Sequence, residues 1–360
     1  MSVTWSDRHA SPTIAGMSMI SGRVEGSVTT ISWILSEAVE GAFKAGFKLG
    51  VSHYDDAPPD DLGPDVDATL DELVAADRFR FANHLRAWAQ FDEIGNVVAS
   101  GHLGSGRLGA TNVYIGTEVS LGAVGMPQRR SEPETGPGWI RFTQTNGGRT
   151  GAPMPRAVRR APFVQFKSPV AWSTLELTLH ADGRVEGRLN GASPFPRHWI
   201  YDSVGALTAK SGCTDWKGWA GTAFGKHTPW GDEESPAFVT AAESALEREL
   251  SGLLMHGAAK PEVRKLRSGD VLTRQGDIGG ELYLVLDGVL VVDVDGSDWA
   301  EVGPGAVLGE RAVLERGLRT STLTARTACK VAAVPADQLD RERLAALADD
   351  HRREVVAADS

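Results

Sequence analysis

"LGERAVLERGLRTSTLTA", Leu308 to Ala325, sets one acid and one base in reach of a common partner. Glu310 follows a glycine, Arg319 comes nine positions after it, and Thr320, Ser321 and Thr322 follow the arginine at once. Gly309 allows a close backbone approach, because it has no Cβ and accepts positive φ. The turn beginning near Arg311 and Ala312 presents N–H groups as the start of a helix does. The residues around this stretch form short β-like segments punctuated by Gly269, Gly276, Gly288, Gly303 and Gly305.

Working outward, the Gly-Asp pair at 269–270, "QGD" at 275–277, "ELYLVLDG" at 281–288, "GPGAVLGERAVL" at 303–314 and "RTSTLTA" at 319–325 follow one another inside a stretch of about 85 residues, roughly 262–345. This run resembles the cyclic-nucleotide-binding domain family, the β-roll shared by the bacterial catabolite activator and the regulatory subunits of cyclic-nucleotide-dependent kinases. The resemblance implies a double-stranded, jelly-roll-like β-roll with flanking helices over residues 259–360. It also implies a nucleotide site made of Gly309, Glu310, Arg311, Ala312, Arg319, Thr320 and Ser321.

The chemistry of those residues suits such a ligand. A cyclic nucleotide offers one delocalised anion, a free ribose 2′-hydroxyl and a flat base. Glu310, an acceptor only, suits the hydroxyl. Arg319 meets the phosphate as a charge-assisted pair, and Thr320 or Ser321 adds a donor. The competing reading is a Glu310–Arg319 pair in a roll that has lost its ligand; the glycine, glutamate and arginine all standing together favours binding. Cupins are also β-rolls but need a His/Glu metal cluster, and no histidine falls between His256 and His351, so no metal is expected. A threonine after the arginine favours guanine in the kinase branch, whereas the bacterial activators carry a hydroxyl residue there and prefer adenine. For a short roll with no kinase attached, the resemblance implies cAMP, with cGMP as the alternative. The family's lid helix has one candidate, starting at Asp340 with Leu344, Leu347 and His351 on one face.

Upstream, the chain reads as strands and turns. From Arg78 to Phe91 the residues Phe79, Phe81, Leu85, Ala87, Ala89 and Phe91 alternate with polar or large partners, the period of a sheet with one buried face. "STLELTLHADGRVEGRL" is a hairpin, with Leu175, Leu177 and Leu179 on one face and Asp182-Gly183 at the turn. "GWIRFTQTNGG" ends on Asn146-Gly147, which predicts another turn. The expectation is a mainly β protein: a large antiparallel barrel or sandwich over 1–212, a helical connector over 213–258, and the roll. In the connector, "TDWKGWAGTAFG" predicts a short helix with Thr214 as N-cap. A longer helix is predicted from Ser235 and Pro236, with Val239, Ala242, Leu246, Leu250 and Leu253 as its apolar stripe and Gly257 as its stop.

In the large domain the candidate catalytic residues are His53, Tyr54 and Asp55 in "SHYDDAPPDD", and His198 and Tyr201 in "PRHWIYD". Each group sets a titratable base beside aromatics, and His84 and His102 join them as candidates for the open end of a barrel. "GSGRLG", Gly104 to Gly109, matches a dinucleotide-loop pattern, but the β-branched residues after it predict strand rather than helix, hence a turn. The basic segments "MPQRRSEP" and "MPRAVRRAP" read as solvated loops.

Composition narrows the function. A chain of 360 residues with 41% hydrophobic and 23% charged residues is an ordinary globular protein of about two domains. Its net charge of −10 argues against a nucleic-acid partner. Two cysteines far apart in sequence suit a reducing compartment. There is no membrane-length apolar stretch, and the N-terminus lacks the pattern of a signal peptide, so a cytoplasmic location is expected. The expectation is a regulatory protein in which a cyclic nucleotide controls a β-rich module that binds a protein partner or a small apolar ligand. An enzyme acting on a hydrophobic molecule, gated by the nucleotide, is the alternative. A transcription factor of the activator type is not expected, because about 25 residues after Pro335 leave no room for a helix-turn-helix.

Overall fold

The structure is a computed structural model that describes residues 22–35, 39, 55–109, 111–115, 117–121, 124–149, 154–157, 164–167, 170–215, 239–242, 261–314 and 317–335, with single helical positions at 247–251 and 342–349. Its elements begin with β1 (Gly22–Trp33), α1 (Val66–Ala75), β2 (Phe81–Phe91), β3 (Val97–His102) and β4 (Gly106–Leu108). Shorter strands follow: β5 (Thr111–Ile115), β6 (Thr117–Leu121), β7 (Val124–Gly125), β8 (Arg129–Arg130) and β9 (Glu134–Gly136). Next come β10 (Trp139–Arg149), β11 (Met154–Ala157), β12 (Val164–Lys167), β13 (Val170–His180), β14 (Val185–Ala192), β15 (Arg197–Tyr201), β16 (Leu207–Ser211) and β17 (Val239–Ala241). The C-terminal unit holds β18 (Glu262–Leu266), β19 (Val271–Thr273), β20 (Glu281–Asp287), β21 (Leu290–Val294), β22 (Ser297–Val302), β23 (Val307–Leu308), α2 (Glu310–Leu314), β24 (Thr322–Ala325) and β25 (Cys329–Pro335).

The N-terminal unit is a sandwich; its sheets do not close into a barrel. One sheet runs β17-β16-β15-β1-β2-β3, with β4 on β2; the other runs β14-β13-β10, with β7, β8 and β9 along β10. Val28, Leu85, Ala87 and Phe91 from the first meet Phe142, Leu175, Leu177 and Leu179 from the second. The period-two alternation holds from Leu85 to Phe91, where Arg86 and Gln90 are exposed, but Phe81 to His84 are all buried. There the outer face is covered as well, by Leu62 and by Val66 and Leu70 of α1, which pack on Phe79 and Ala82. A polar seam crosses the sandwich beside the apolar core. Gln144 donates to Asn83 Oδ1 at 2.8 Å, Asn83 donates to the Ser173 carbonyl at 3.0 Å, and Thr30 and Ser173 share a hydroxyl bond of 2.9 Å.

Two local expectations are corrected. Asn146-Gly147 does not reverse the chain, since β10 runs straight through it in register with β13. A Cβ on Gly147 would lie 2.5 Å from the Ala171 carbonyl oxygen, so this glycine serves close strand approach, not a turn. The connector helix does not begin at Pro236. Val239–Ala241 is an edge strand paired with β16, because two β-branched residues there satisfy the open side of the sheet. Helix is present at Glu247, Leu250 and Ser251, and Leu250 packs into the roll's core with Leu282, Leu284 and Val307.

"GSGRLG" behaves as a backbone-packing device. Gly106–Leu108 pairs with β2, and a Cβ on Gly104 or Gly109 would meet the His84 or Phe79 carbonyl oxygen at 2.2 and 2.0 Å. The segments predicted as basic loops include short strands, β8 and β11. The short helix predicted after Thr214 lies outside the described residues. No helix among the described residues is long and apolar enough to cross a membrane.

The C-terminal unit stacks two four-stranded antiparallel sheets, β18-β25-β20-β23 and β19-β24-β21-β22, the roll that was expected. After it, Glu342, Ala345, Ala346, Ala348 and Asp349 are helical and Ala348 is buried, while Leu344, Leu347 and His351 have side chains outside the described residues. The two units meet at the end of β20. Asp287 Oδ1 accepts from Arg197 Nη2 at 2.8 Å, from the Thr214 backbone at 3.0 Å and from the Thr214 hydroxyl at 2.9 Å. Gly288 N donates to the Gly212 carbonyl at 2.8 Å beside this clamp. Cys213 and Cys329 flank the Thr327 hydroxyl at the same junction, and burial pushes both thiols up.

Candidate functional site

The opening stretch folds as a strand, a glycine, one helical turn and a return. β23 ends at Gly309, whose φ of +92° belongs to the left-handed region that glycine enters without strain, and α2 starts on the next residue. Gly317, also at φ +92°, turns the chain back toward Arg319. The "QGD" turn holds the arginine in place: Gly276 N donates to the Arg319 carbonyl, and Arg319 N to the Asp277 carbonyl, both at 2.8 Å. Without side chains at Gly279 and Gly309 there is room for the guanidinium; a Cβ on them would lie 2.0 Å from Arg319 Nε and 2.6 Å from Nη1.

Arg319 and Glu310 are both buried, 6% and 7% exposed, yet both line a cavity of about 610 Å³. Gly309, Arg311, Ala312, Thr320 and Ser321 line the same cavity, so all seven residues of the expected site meet in one place. Val292 and Leu323 add apolar lining inside the roll beside the Thr273 side chain, and the half-exposed Trp299 lines it as well. Ala241, Ala242 and the buried Glu247 add a wall from outside the roll; Glu247 Oε1 accepts from Val307 N at 3.2 Å.

Behind the cavity the guanidinium is held by β20. Nη1 donates to the Glu281 carbonyl at 2.9 Å and Nη2 to the Tyr283 hydroxyl at 3.3 Å, with the Tyr283 ring 5.1 Å from the guanidinium carbon. The Tyr283 hydroxyl donates to Glu281 Oε2 at 2.9 Å. Arg264 grips that carboxylate with Nη1 and Nη2 at 2.9 and 2.7 Å and holds Glu281 below the usual carboxylate range. Glu281 and Tyr283 fall within the family-like run "ELYLVLDG" but are not among the seven residues expected at the site. The legible signal was their spacing on one strand, which turns both to the same face.

The candidates of the large domain are placed differently. His53 and Tyr54 lie outside the described residues. Asp55 is buried against Arg80 at 2.7 Å and accepts from Ile34 N at 2.7 Å. His198 is fully enclosed, with Nδ1 2.7 Å from the Ser32 hydroxyl and Nε2 2.8 Å from the Ser193 carbonyl; burial lowers its pKa to about 4. Tyr201 donates to the Pro59 carbonyl at 2.9 Å, and its pKa is raised by burial. His84 shares a 2.8 Å bond with the Thr29 hydroxyl, and burial lowers its pKa; His102 stacks edge-on against Phe142, and burial takes it down to about 4. Asp55, His84, His198 and Tyr201 are buried in the sandwich, each with an internal hydrogen-bond partner, whereas His102 is partly buried.

The family model of the cyclic nucleotide-binding domain matches residues 263–343, so the roll is a domain of that type. Over 114 residues the chain is 27% identical to the human potassium/sodium hyperpolarization-activated cyclic nucleotide-gated channel 3, a match covering 32% of this chain and 13% of the channel. The rabbit channel 4 is 32% identical over 72 residues, 20% of this chain and 6% of that one. The chain thus spans about an eighth of the first relative's length, or less. Among solved structures, the N-terminal domain of a transcriptional regulator from Streptomyces coelicolor A3(2) is 30% identical, with a TM-score of 0.21, over 32% of this chain and 76% of that one. The structure "Sp-2Cl-cAMPS bound to PKAR CBD2" is 21% identical, with a TM-score of 0.25, over 32% and 88%. The family match begins at residue 263, beyond the whole sandwich.

Proposed function

We propose that the protein is a cytoplasmic cyclic-nucleotide receptor that prefers cAMP to cGMP and uses the roll to regulate the N-terminal sandwich. The observation that carries this reading is the single cavity into which Gly309, Glu310 and the buried Arg319 all open. In it Arg319 takes the cyclic phosphate, Glu310 the ribose 2′-hydroxyl, the amides near Arg311 and Ala312 the remaining phosphate oxygen, and Thr320 or Ser321 adds a hydroxyl. The sandwich is the output module and binds a protein partner or an apolar ligand. Asp55, His198 and Tyr201 are each engaged internally, which supports a non-enzymatic output. A nucleotide moves the output only by binding two of its states unequally, a coupling of ~1–3 kcal/mol. The helix carrying Leu250 is the moving part, because it packs on the roll and follows β17 of the sandwich.

Calorimetry on the full chain with cAMP and cGMP tests the reading, with Arg319→Ala beside wild type. Losing the buried partner of an anion costs ~2–5 kcal/mol, so the variant should bind at least about thirty-fold more weakly. Equal affinities, or no binding by wild type, refute the proposal; a cGMP preference refutes its base selectivity.

A further inference from the structure

We infer that Tyr283, backed by Glu281 and Arg264, is the positioning assembly that aims the Arg319 guanidinium at the ligand's phosphate; this rests on reading the cavity as a cyclic-nucleotide site. An arginine is useful to a small anion only if its fork is fixed before the anion arrives, since ordering a long side chain on binding subtracts from affinity. Arg319 is fixed from behind. Its Nη1 and Nη2 donate to the Glu281 carbonyl and the Tyr283 hydroxyl, two of the five N–H donors of the fork. The Tyr283 ring face adds a cation–π contact, and Gly279 and Gly309 close the remaining space around the guanidinium.

The charges explain why three residues are needed. Tyr283 is itself held, because its hydroxyl donates to Glu281 Oε2 at 2.9 Å while accepting from Arg319. A carboxylate that close to Arg319 would compete with the phosphate for the same cation. Arg264 removes the competition: its bidentate pair with Glu281, at 2.7 and 2.9 Å, spends the carboxylate on another partner. Arg264 also donates to Glu262 at 3.2 Å, so both carboxylates of this chain of contacts are gripped by Arg264, while Arg319 donates only to neutral oxygens behind it and keeps its charge for the cavity. Tyr283 is 3% exposed and does not line the cavity. It therefore acts through Arg319 and not by touching the ligand.

The test uses the full chain and three ligands: cAMP and its two phosphorothioate diastereomers, in which sulfur replaces one or the other exocyclic phosphate oxygen. An aimed arginine favours one diastereomer, so the ratio of the two affinities reports the aim independently of overall stability. Tyr283→Phe keeps the ring and removes the hydroxyl. It should weaken cAMP about tenfold, the worth of one hydrogen bond to a charged group, and bring the diastereomer ratio toward one. Arg264→Gln lies at a more exposed position on β18 and frees Glu281 to compete. It should shift both quantities in the same direction even if Tyr283→Phe fails to fold. If wild type discriminates the diastereomers and both variants keep that ratio within twofold, Tyr283 and Arg264 are merely structural and the inference is wrong. If wild type binds none of the three ligands, the cavity reading falls and this inference with it.

Discussion

Replacing Asp287 by alanine should uncouple the roll from the sandwich. Every hydrogen bond that Asp287 Oδ1 accepts comes from outside the roll: Arg197 Nη2 on β15, and the backbone and hydroxyl of Thr214. The side chains of Arg197 and Asp287 are 7% and 14% exposed, so water replaces little of what is lost. Arg197 keeps the Leu286 carbonyl at 3.1 Å as an acceptor but loses its counter-charge. Removing one partner of a buried pair costs ~3–5 kcal/mol, and the retained carbonyl and partial exposure place this case near the lower end, at about 3 kcal/mol. That is roughly a 150-fold shift in the equilibrium between docked and separated units. The assay is urea unfolding followed by circular dichroism and by tryptophan fluorescence. The fluorescence reports chiefly the rest of the chain, because of the ten tryptophans only Trp299 lies in the roll. Wild type should unfold in one transition by both probes, and Asp287→Ala in two that no longer coincide. A double-mutant cycle with Arg197→Met should give a coupling of about 2 kcal/mol. Additivity of the two single variants within ~0.5 kcal/mol would refute the clamp, whatever the individual stabilities.

Gly309→Ala should abolish measurable nucleotide binding while leaving the roll folded by circular dichroism, because the new Cβ enters a φ of +92° and comes within 2.6 Å of Arg319 Nη1. Retained wild-type affinity in that variant would mean the guanidinium does not sit where the structure puts it. His198 gives a pH prediction. Below pH 6.5 an unfolded chain takes up a proton there that the folded chain refuses until about pH 4, so its contribution to stability is intact above 6.5 and is lost as the pH falls through that window. His198→Gln should remove about one proton's worth of slope from the acid limb, ~1.4 kcal/mol per pH unit, in chemical denaturation at graded pH. An unaltered slope would show that the imidazole is protonated in the folded state.

The features legible in the sequence were those that depend on neighbours along the chain. The alternation of Leu85 to Phe91 and of Leu175 to Leu179 announced strands, and both are where the pattern put them, although Thr174 and Thr178 on the other face of the second are buried too. The gathering of Glu310 and Arg319 was legible because only nine positions separate them, with the turn of α2 after the first and the left-handed Gly317 before the second. Asn146-Gly147 was misread because a glycine demanded by a close neighbouring strand looks the same in sequence as one demanded by a turn. Val239–Ala241 sits inside a good helical pattern, and only the open side of β16, some thirty residues earlier, makes it a strand. The Arg264–Glu281–Tyr283 support was hidden for a related reason. Its members lie on β18 and β20, and they touch only after β25 has been laid between those strands.

The strand β17 has a bearing on how such a protein can be taken apart. It is the edge strand that covers β16, yet Ala241 at its end and Ala242 just after it belong to the wall of the roll's cavity. A fragment ending before Val239 would leave β16 with a bare row of amides and carbonyls, an invitation to pair with another chain. A fragment beginning after Ala242 would open one side of the ligand chamber to solvent. Recombination that transplants the roll alone onto a new partner would lose that wall, and the sandwich left behind would become prone to aggregate.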